Sequence, residues 1–144
     1  MSEMLVESAE CIVYDVMSQN VIFVQDSDSL RHAAKVVEQF RISGVPVVNE
    51  YGHCVGVLSV KDVAKHSDTD ETRLAVEDDV TVGQVMTTPA ITVSPGLDVA
   101  EAGRIMCSRR VHRLPVVDET GLLVGLISSL DVIETLVCDP EQGD

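Results

Sequence analysis

Aromatic residues are scarce in this 144-residue chain: tryptophan is absent, and aromatic side chains make up only 3% of the sequence. The core therefore has to be built from Val, Ile, Leu and Ala, which favour buried strands covered by helices. No apolar run approaches the roughly 20 residues of a transmembrane helix, and Met1–Leu5 lacks the basic-then-apolar pattern of a secretory signal. These absences predict a soluble, cytoplasmic protein without a membrane partner.

Basic residues are also few, because ten Lys and Arg stand against 24 Asp and Glu, for a formal net charge of −14. Such a surface repels phosphate backbones and anionic lipid, so we expect no nucleic acid partner. The cysteines show neither a C-x-x-C pair nor zinc-finger spacing, which predicts reduced thiols and no metal site. They are Cys11, Cys54, Cys107 and Cys138. Thiol-based redox regulation is an alternative that rests on these four residues alone.

Catalytic motifs are absent as well. The four histidines show no arrangement with a nucleophile and an orienting group, and no Walker loop or dinucleotide-binding fingerprint occurs. They are His32, His53, His66 and His112. The sequence therefore predicts that the protein is not an enzyme and requires no cofactor.

What the chain does contain is an internal repeat. A shift of 69 residues aligns Val13–His66 with Val82–Thr135 without a gap, and 17 aligned positions are identical. A match of this length indicates a duplicated supersecondary unit. The repeat predicts a first domain at 1–66 and a second at 80–138. An acidic, solvated linker at 67–79 and a frayed tail at 139–144 complete the predicted organisation.

Each copy is expected to begin with a short β-branched strand, Val21–Val24 or Ala90–Val93, followed by a helix. Ser29 and Asp98 are the predicted helix caps, and Asp98 with Glu101 resembles a capping box. Apolar residues then recur at helical spacing and are expected to face the core. They are Leu30, Ala33, Ala34, Val37 and Phe40 in the first copy, and Val99, Ala102, Gly103 and Met106 in the second.

Two further strands and a closing helix complete each copy. The strands are predicted at Val45–Asn49 and Val55–Ser59, and at Leu114–Asp118 and Leu123–Ser128, with a hairpin turn between them. The closing helix begins after Ser59 or Ser128 and carries Asp62 or Asp131. The predicted fold class is α/β (α+β), with the order β-α-β-β-α repeated twice.

Three motifs occur in both copies in the same order. They are Val16-Met17-Ser18 and Val85-Met86-Thr87, the strands around Pro46-Val47-Val48 and Pro115-Val116-Val117, and the Gly-x-x-Ser-x-x-Asp segments Gly56–Asp62 and Gly125–Asp131. In this order and spacing, the chain resembles a tandem pair of CBS (cystathionine-β-synthase) domains, or Bateman module. The resemblance implies two repeats packed about a pseudo-twofold axis, with clefts that bind AMP, ADP, ATP or S-adenosylmethionine. It also implies a disc-like homodimer that associates through helices.

The resemblance further implies a role for the paired Ser and Asp residues. Asp131 and Asp62 would accept hydrogen bonds from the ribose diol of the ligand, and Ser128 and Ser59 would contact it from the strand end. An alternative interpretation needs no ligand, since each Ser can cap the closing helix and each Asp favours its positive end.

A cluster of basic residues precedes the second Pro-Val-Val strand: Arg104, Arg109, Arg110, His112 and Arg113. The resemblance implies that His112 and Arg113 bind the phosphate of the ligand. Arg109 and Arg110 are instead interpreted as complementing the negative C-terminal end of the dipole of their helix. The first copy has Ser43 and Gly44 at the matching positions, with Lys61 as a partial substitute. The two clefts are therefore expected to be unequal.

The adenine is expected to lie against the first strand of the opposite copy. This implies that Met17, Val21 and Ile22 accompany Asp131, and that Met86, Ala90 and Ile91 accompany Asp62. The predicted function is a nucleotide sensor that regulates an unidentified effector protein in trans, with AMP or ADP favoured because a triphosphate needs more positive charge. The alternative is a dimerisation or docking module that binds no nucleotide.

Overall fold

The computed structural model describes residues 11–66 and 80–137. In chain order its elements are α1 (Val13–Val16), β1 (Val24–Gln25), α2 (Leu30–Phe40), β2 (Gly44–Val48), β3 (Cys54–Ser59), α3 (Val60–Ala64), α4 (Val82–Val85), α5 (Val99–Arg109), β4 (Arg113–Val117), β5 (Leu123–Ser128) and α6 (Ser129–Val137). The predicted linker at 67–79 and tail at 139–144 lie outside the described residues. The mixed α/β fold class is confirmed, and the two short helices α1 and α4 were not predicted.

The chain divides into two compact units whose boundaries differ from those of the sequence copies. Ile22–Ala90 forms the first-copy unit, and Met1–Val21 together with Ile91–Asp144 forms the second-copy unit. The opening segment of each copy therefore belongs to the unit that contains the rest of the other copy. Consequently Met17 shares a unit with Asp131, and Met86 shares one with Asp62.

In the first-copy unit, β2 lies between β1 and β3. β1 runs parallel to β2, and β2 pairs antiparallel with β3 from Gly44 opposite Ser59 onward. The core consists of valine, leucine and alanine side chains from β1, α2, β2, β3, α3 and α4. This composition agrees with the aliphatic core predicted from the lack of aromatic residues.

The second-copy unit repeats this arrangement with a shorter first strand. β4 pairs antiparallel with β5, while Val93 alone forms a parallel bridge to Val116. The predicted strands Val21–Val24 and Ala90–Val93 are thus much shorter than expected. The chain passes from one unit to the other within each of these segments, so only their last residues reach the sheet.

The two long helices begin as predicted, with Ser29 capping α2 and Asp98 capping α5. The predicted capping box with Glu101 does not form, because the Glu101 carboxylate instead pairs with Arg104 at 3.2 Å. The apolar stripes are buried except at Gly103, which is partly buried, and at Phe40, which is 48% exposed. Phe40 is the last residue of α2, and Arg41 then turns the chain into the left-handed region at φ 55°, so the Phe40 side chain lies beyond the buried face.

The hairpin turns are built alike. Gly52 and Gly121 have φ values of 86° and 96°, a conformation that only glycine adopts without strain. Asn49 Oδ1 accepts hydrogen bonds from the amides of Tyr51 and His53. Asp118 Oδ1 accepts the equivalent bonds in the second copy, from Thr120 and Leu122. The predicted turns are therefore confirmed.

Candidate nucleotide site

The Gly-x-x-Ser-x-x-Asp segments place a serine and an aspartate at the start of each closing helix. In the second-copy unit, the Ser128 amide donates to Asp131 Oδ2 at 2.8 Å and the Asp131 amide donates to Ser128 Oγ at 3.1 Å. Ser59 and Asp62 form the same reciprocal bonds, at 3.0 and 3.1 Å. Both pairs therefore stabilise a helix start without a ligand, as the structural interpretation of the motif requires.

Capping nevertheless leaves part of the Asp131 carboxylate available. Its Oδ2 accepts the Ser128 amide, whereas Oδ1 accepts no hydrogen bond from any residue within 11–66 and 80–137. A carboxylate has about four lone-pair sites, so Asp131 can accept two further hydrogen bonds from a vicinal diol. Asp131 is partly exposed, which gives such a ligand access to the carboxylate.

The strand register brings a cation to the same end of the hairpin. Arg113, the first residue of β4, lies directly opposite Ser128, the last residue of β5. The Ser129 amide donates to the His112 carbonyl at 2.8 Å, which ties the start of α6 to the start of β4. Arg113 is exposed, and it interacts with another residue of the protein. A serine, a carboxylate and a guanidinium therefore share one end of the β4–β5 hairpin.

The first-copy unit has no such cation in register. Gly44 occupies the position opposite Ser59, and Ser43, whose carbonyl accepts the Val60 amide, replaces His112. Lys61 is exposed on α3 next to Asp62. The two copies therefore differ in charge at this end of the hairpin, and the expected difference between their clefts stays a prediction.

An opening segment runs along each hairpin beside the Ser-Asp pair. Ser18 forms two backbone hydrogen bonds with Leu126, each 2.9 Å long, and Met17 lies over Gly125. A Cβ atom added to Gly125 would approach Met17 Sδ to 2.5 Å, so the glycine permits this close contact. Val21 ends the same segment. Met17 and Val21 therefore lie in the unit that contains Asp131.

The first-copy unit has the equivalent arrangement with extra bonds. Thr87 pairs with Val57 through two backbone bonds, and its hydroxyl also donates to Asp62 Oδ2 at 3.3 Å. The Thr88 hydroxyl donates to the Val55 carbonyl at 2.8 Å. Sequence reasoning did not identify the contact between Thr87 and Asp62, although the V-M-[ST] motif is the signal that could have suggested it.

The remaining residues predicted for the adenine pocket divide between the units. Met86 and Ala90 belong to the first-copy unit with Asp62. Ile22 packs against the core of the first-copy unit, and Ile91 packs against that of the second-copy unit. All six residues predicted for the adenine pocket are partly buried, so part of each side chain remains accessible.

Cys11 and Cys54 are poor candidates for thiol chemistry, and Cys138 lies outside the described residues. Burial raises the pKa of the Cys54 thiol, and burial together with nearby Asp15 raises that of Cys11, so the reactive thiolate is disfavoured at both. Cys107 is exposed. Within the described part of the chain, no three His, Cys, Asp or Glu side chains cluster as metal ligands. No helix in that part is both long and apolar enough to cross a membrane.

Comparison with known proteins identifies the repeated unit. A family profile described as CBS domain matches residues 13–68 and again 82–138. An uncharacterized protein of Methanocaldococcus jannaschii is 27% identical, over 88% of this chain and 91% of its own. Inosine-5′-monophosphate dehydrogenase of Helicobacter pylori is 33% identical over 77% of this chain. The chain spans only about a fifth (21%) of that enzyme's length.

Solved structures with the same fold hold adenosyl ligands. CBSX2 in complex with AMP gives a TM-score of 0.72 at 26% identity, over 88% of this chain and 96% of that one. The CBS domain pair of protein MJ0100, in complex with 5′-methylthioadenosine and S-adenosyl-L-methionine, gives 0.72 at 26% identity, over 88% and 99%. The CBS domain of a bacterial CNNM/CorC-family Mg²⁺ transporter, in complex with ATP, gives 0.75 at 29% identity, over 94% and 93%.

Proposed function

Since the chain belongs to the CBS-domain family and carries two copies of the domain, we propose that it is a regulatory module that senses an adenosyl nucleotide. The observation that carries the proposal is the end of the β4–β5 hairpin, where Ser128, Asp131 and Arg113 lie together and Asp131 Oδ1 has no partner among the described residues. Structurally similar CBS pairs in complex with AMP, ATP and S-adenosylmethionine support the ligand class.

The site in the second-copy unit is the stronger of the two. Asp131 would bind the ribose diol, and Arg113 would bind a phosphate oxygen through its planar guanidinium. Met17 and Val21 would border the adenine. His112 would assist with the phosphate, although its side chain also lines a groove on the helical side of the unit. One guanidinium and one imidazole favour AMP or ADP over ATP.

The site in the first-copy unit would bind more weakly or take a different ligand. Asp62 and Ser59 repeat the capping pair, but Gly44 supplies no cation and Lys61 is the only substitute that we assign. The Thr87 hydroxyl also uses one of the acceptor sites of Asp62. Met86 and Ala90 complete the residues proposed for this site.

We place the module in the cytoplasm as a homodimer that acts on a separate effector protein, with no catalytic role of its own. A ligand would shift the equilibrium between two conformations by its differential affinity for them. Light scattering tests the dimer, since two chains of 15.6 kDa are expected per particle.

Calorimetric titration with AMP, ADP, ATP, S-adenosylmethionine and NAD tests the ligand. We expect micromolar binding of one or more of these compounds, weakened about tenfold or more in Asp131→Ala, because a hydrogen bond to a charged group contributes about 1.5–3 kcal/mol. Asp62→Ala is the matched control and should have a smaller effect. Absence of heat with every compound, from folded and ligand-free protein, would favour the alternative function, a docking module that binds no nucleotide.

A further inference from the structure

The two Ser-Asp pairs leave a different number of acceptor sites to a ligand. Asp131 Oδ2 accepts one hydrogen bond, from the Ser128 amide at 2.8 Å. Asp62 Oδ2 accepts two, from the Ser59 amide at 3.0 Å and from the Thr87 hydroxyl at 3.3 Å. Each carboxylate oxygen has about two lone-pair sites. Oδ2 of Asp62 is therefore filled, whereas Oδ2 of Asp131 has one site left.

This difference determines how a ribose can bind. A vicinal diol pairs most directly with a carboxylate when each hydroxyl donates to a different oxygen, as two parallel bonds do in other bidentate pairs. Both oxygens of Asp131 have an open acceptor site, so both ribose hydroxyls can donate to it. At Asp62 only Oδ1 is open to a ligand in the described part of the chain. Both aspartates are partly exposed, so access does not separate them.

The Thr87 hydroxyl is held beside Asp62 by the local structure. The Thr87 backbone forms two hydrogen bonds with Val57, at 2.9 and 3.0 Å. The next residue, Thr88, donates its own hydroxyl to the Val55 carbonyl at 2.8 Å. A β-branched side chain also has few χ1 rotamers. The hydroxyl of Thr87 is thus positioned on the carboxylate before any ligand binds.

The second copy shows that the fold does not require this contact. Ser18 occupies the position of Thr87 and forms the same two backbone bonds, with Leu126. Within residues 11–66 and 80–137, however, its hydroxyl forms no hydrogen bond with Asp131. Gln19 stands where the first copy has Thr88. The opening segment therefore lies along the hairpin in both copies, and the side-chain bond to the aspartate belongs to the first copy.

We propose that Thr87 is a specificity-determining residue of the nucleotide site at Asp62. Its hydroxyl occupies Oδ2 and limits this site to one ribose hydroxyl, whereas the site at Asp131 binds both. The Asp62 site consequently binds 2′-deoxynucleotides nearly as well as ribonucleotides, and the Asp131 site discriminates between them. This inference rests on the proposed nucleotide function and assigns a sugar preference to each site.

The test is calorimetric titration with AMP and ATP and with their 2′-deoxy forms. Asp131→Ala isolates the Asp62 site, and Asp62→Ala isolates the Asp131 site. We expect the ribonucleotide to bind about tenfold tighter than its 2′-deoxy form at the Asp131 site, and less than about threefold tighter at the Asp62 site, because only Asp131 loses a bond. Thr87→Val in the Asp131→Ala background should raise the ratio at the Asp62 site to about tenfold.

Thr88→Val is the matched control, because it removes the hydroxyl of the neighbouring residue, which bonds to the hairpin but not to Asp62. It should leave the ratio at the Asp62 site unchanged. An equal change in Thr88→Val would overturn the proposal, since general loosening of the segment would then explain the result. Equal ratios at the two sites would also overturn it, as would an Asp62 site that binds nothing even in Thr87→Val.

Failure of the proposed function gives a different result. If no compound binds at either site of folded, ligand-free protein, the nucleotide proposal is overturned and this inference with it. If ribonucleotides bind at both sites and Thr87→Val leaves the ratio at the Asp62 site unchanged, only the role of Thr87 is overturned.

Discussion

The two copies have the same hairpin, the same Ser-Asp helix start and the same glycine turn, but they differ where those elements face solvent. The second copy places Arg113 opposite Ser128 and exposes several large apolar side chains on α6, while the first has Gly44 opposite Ser59 and a shorter helix, α3, that exposes Lys61. Positions that build the unit are thus retained in both copies, whereas exposed positions at the end of the hairpin and on the closing helix have diverged. The comparison indicates that the two copies share a fold but present different surfaces.

The largest expected effect comes from cavities in the matched cores. Leu58 and Ile127 are fully buried counterparts, so Leu58→Ala and Ile127→Ala should each reduce the free energy of unfolding by about 2–5 kcal/mol. Native-state hydrogen exchange should show faster exchange on β2 and β3 in the first variant and on β4 and β5 in the second. Glu50→Ala, on an exposed turn, is the control. If either variant exchanged equally faster throughout both units, the two units would unfold together.

The next largest effect on stability is expected from replacing a glycine, and its size should differ between the two copies. A Cβ atom at Gly56 would meet Met86 Sδ at 2.7 Å and the Thr87 carbonyl oxygen, a backbone atom, at 2.8 Å, whereas the three atoms nearest to one at Gly125 all belong to the Met17 side chain. Gly56→Ala should therefore cost about 1–3 kcal/mol in urea denaturation, and Gly125→Ala less, because Met17 can move. Adding Met17→Ala should restore stability to the Gly125→Ala variant but not to the Gly56→Ala variant. Equal losses at the two glycines would contradict this reasoning.

A graft should make the copies more alike in ligand binding. Ser43→His with Gly44→Arg, in an Asp131→Ala background, should tighten AMP binding at the Asp62 site by about tenfold, since a guanidinium gains a charge-assisted bond to phosphate. A Cβ atom at Gly44 lies 3.3 Å from the Leu58 carbonyl oxygen, so a small local shift accompanies the change. Calorimetry gives the affinity, and the double alanine variant at the same positions is the control. No gain would mean that the missing cation is not what weakens this site.

The smallest effect concerns the turns. A hydrogen bond from the Thr120 side chain, together with backbone bonds, lowers the pKa of Asp118 below its ordinary value. Stability from this turn is therefore present above the unfolded pKa of about 3.9 and is lost as the pH falls through the lower folded pKa. Asp118→Asn, which copies the neutral Asn49 of the first copy, should flatten the pH dependence of the urea midpoint below about pH 4. An unchanged pH dependence of the urea midpoint in Asp118→Asn would mean that other carboxylates cause it.

Much of each unit was predictable because local rules are strong there. The caps Ser29 and Asp98, the glycine turns and the strand ending at Ser128 follow from side-chain hydrogen bonding, φ preference and apolar pattern. Phe40 and Glu101 were assigned wrongly because both depend on where a side chain finds a partner at a helix end. The first strands were predicted too long because a β-branched run does not reveal where the chain leaves one unit for the other.

The sequence by itself determined the repeat, the order of the long helix, the hairpin strands and the closing helix in each copy, and the residues proposed to meet a nucleotide, since each depends on spacing and residue type alone. Only the tertiary structure decided that Arg113 lies opposite Ser128 and that Thr87 donates to Asp62. It also decided that α6 exposes its outer face. These facts depend on contacts between segments distant in the chain, and periodicity within one segment carries no record of which partner that segment will meet.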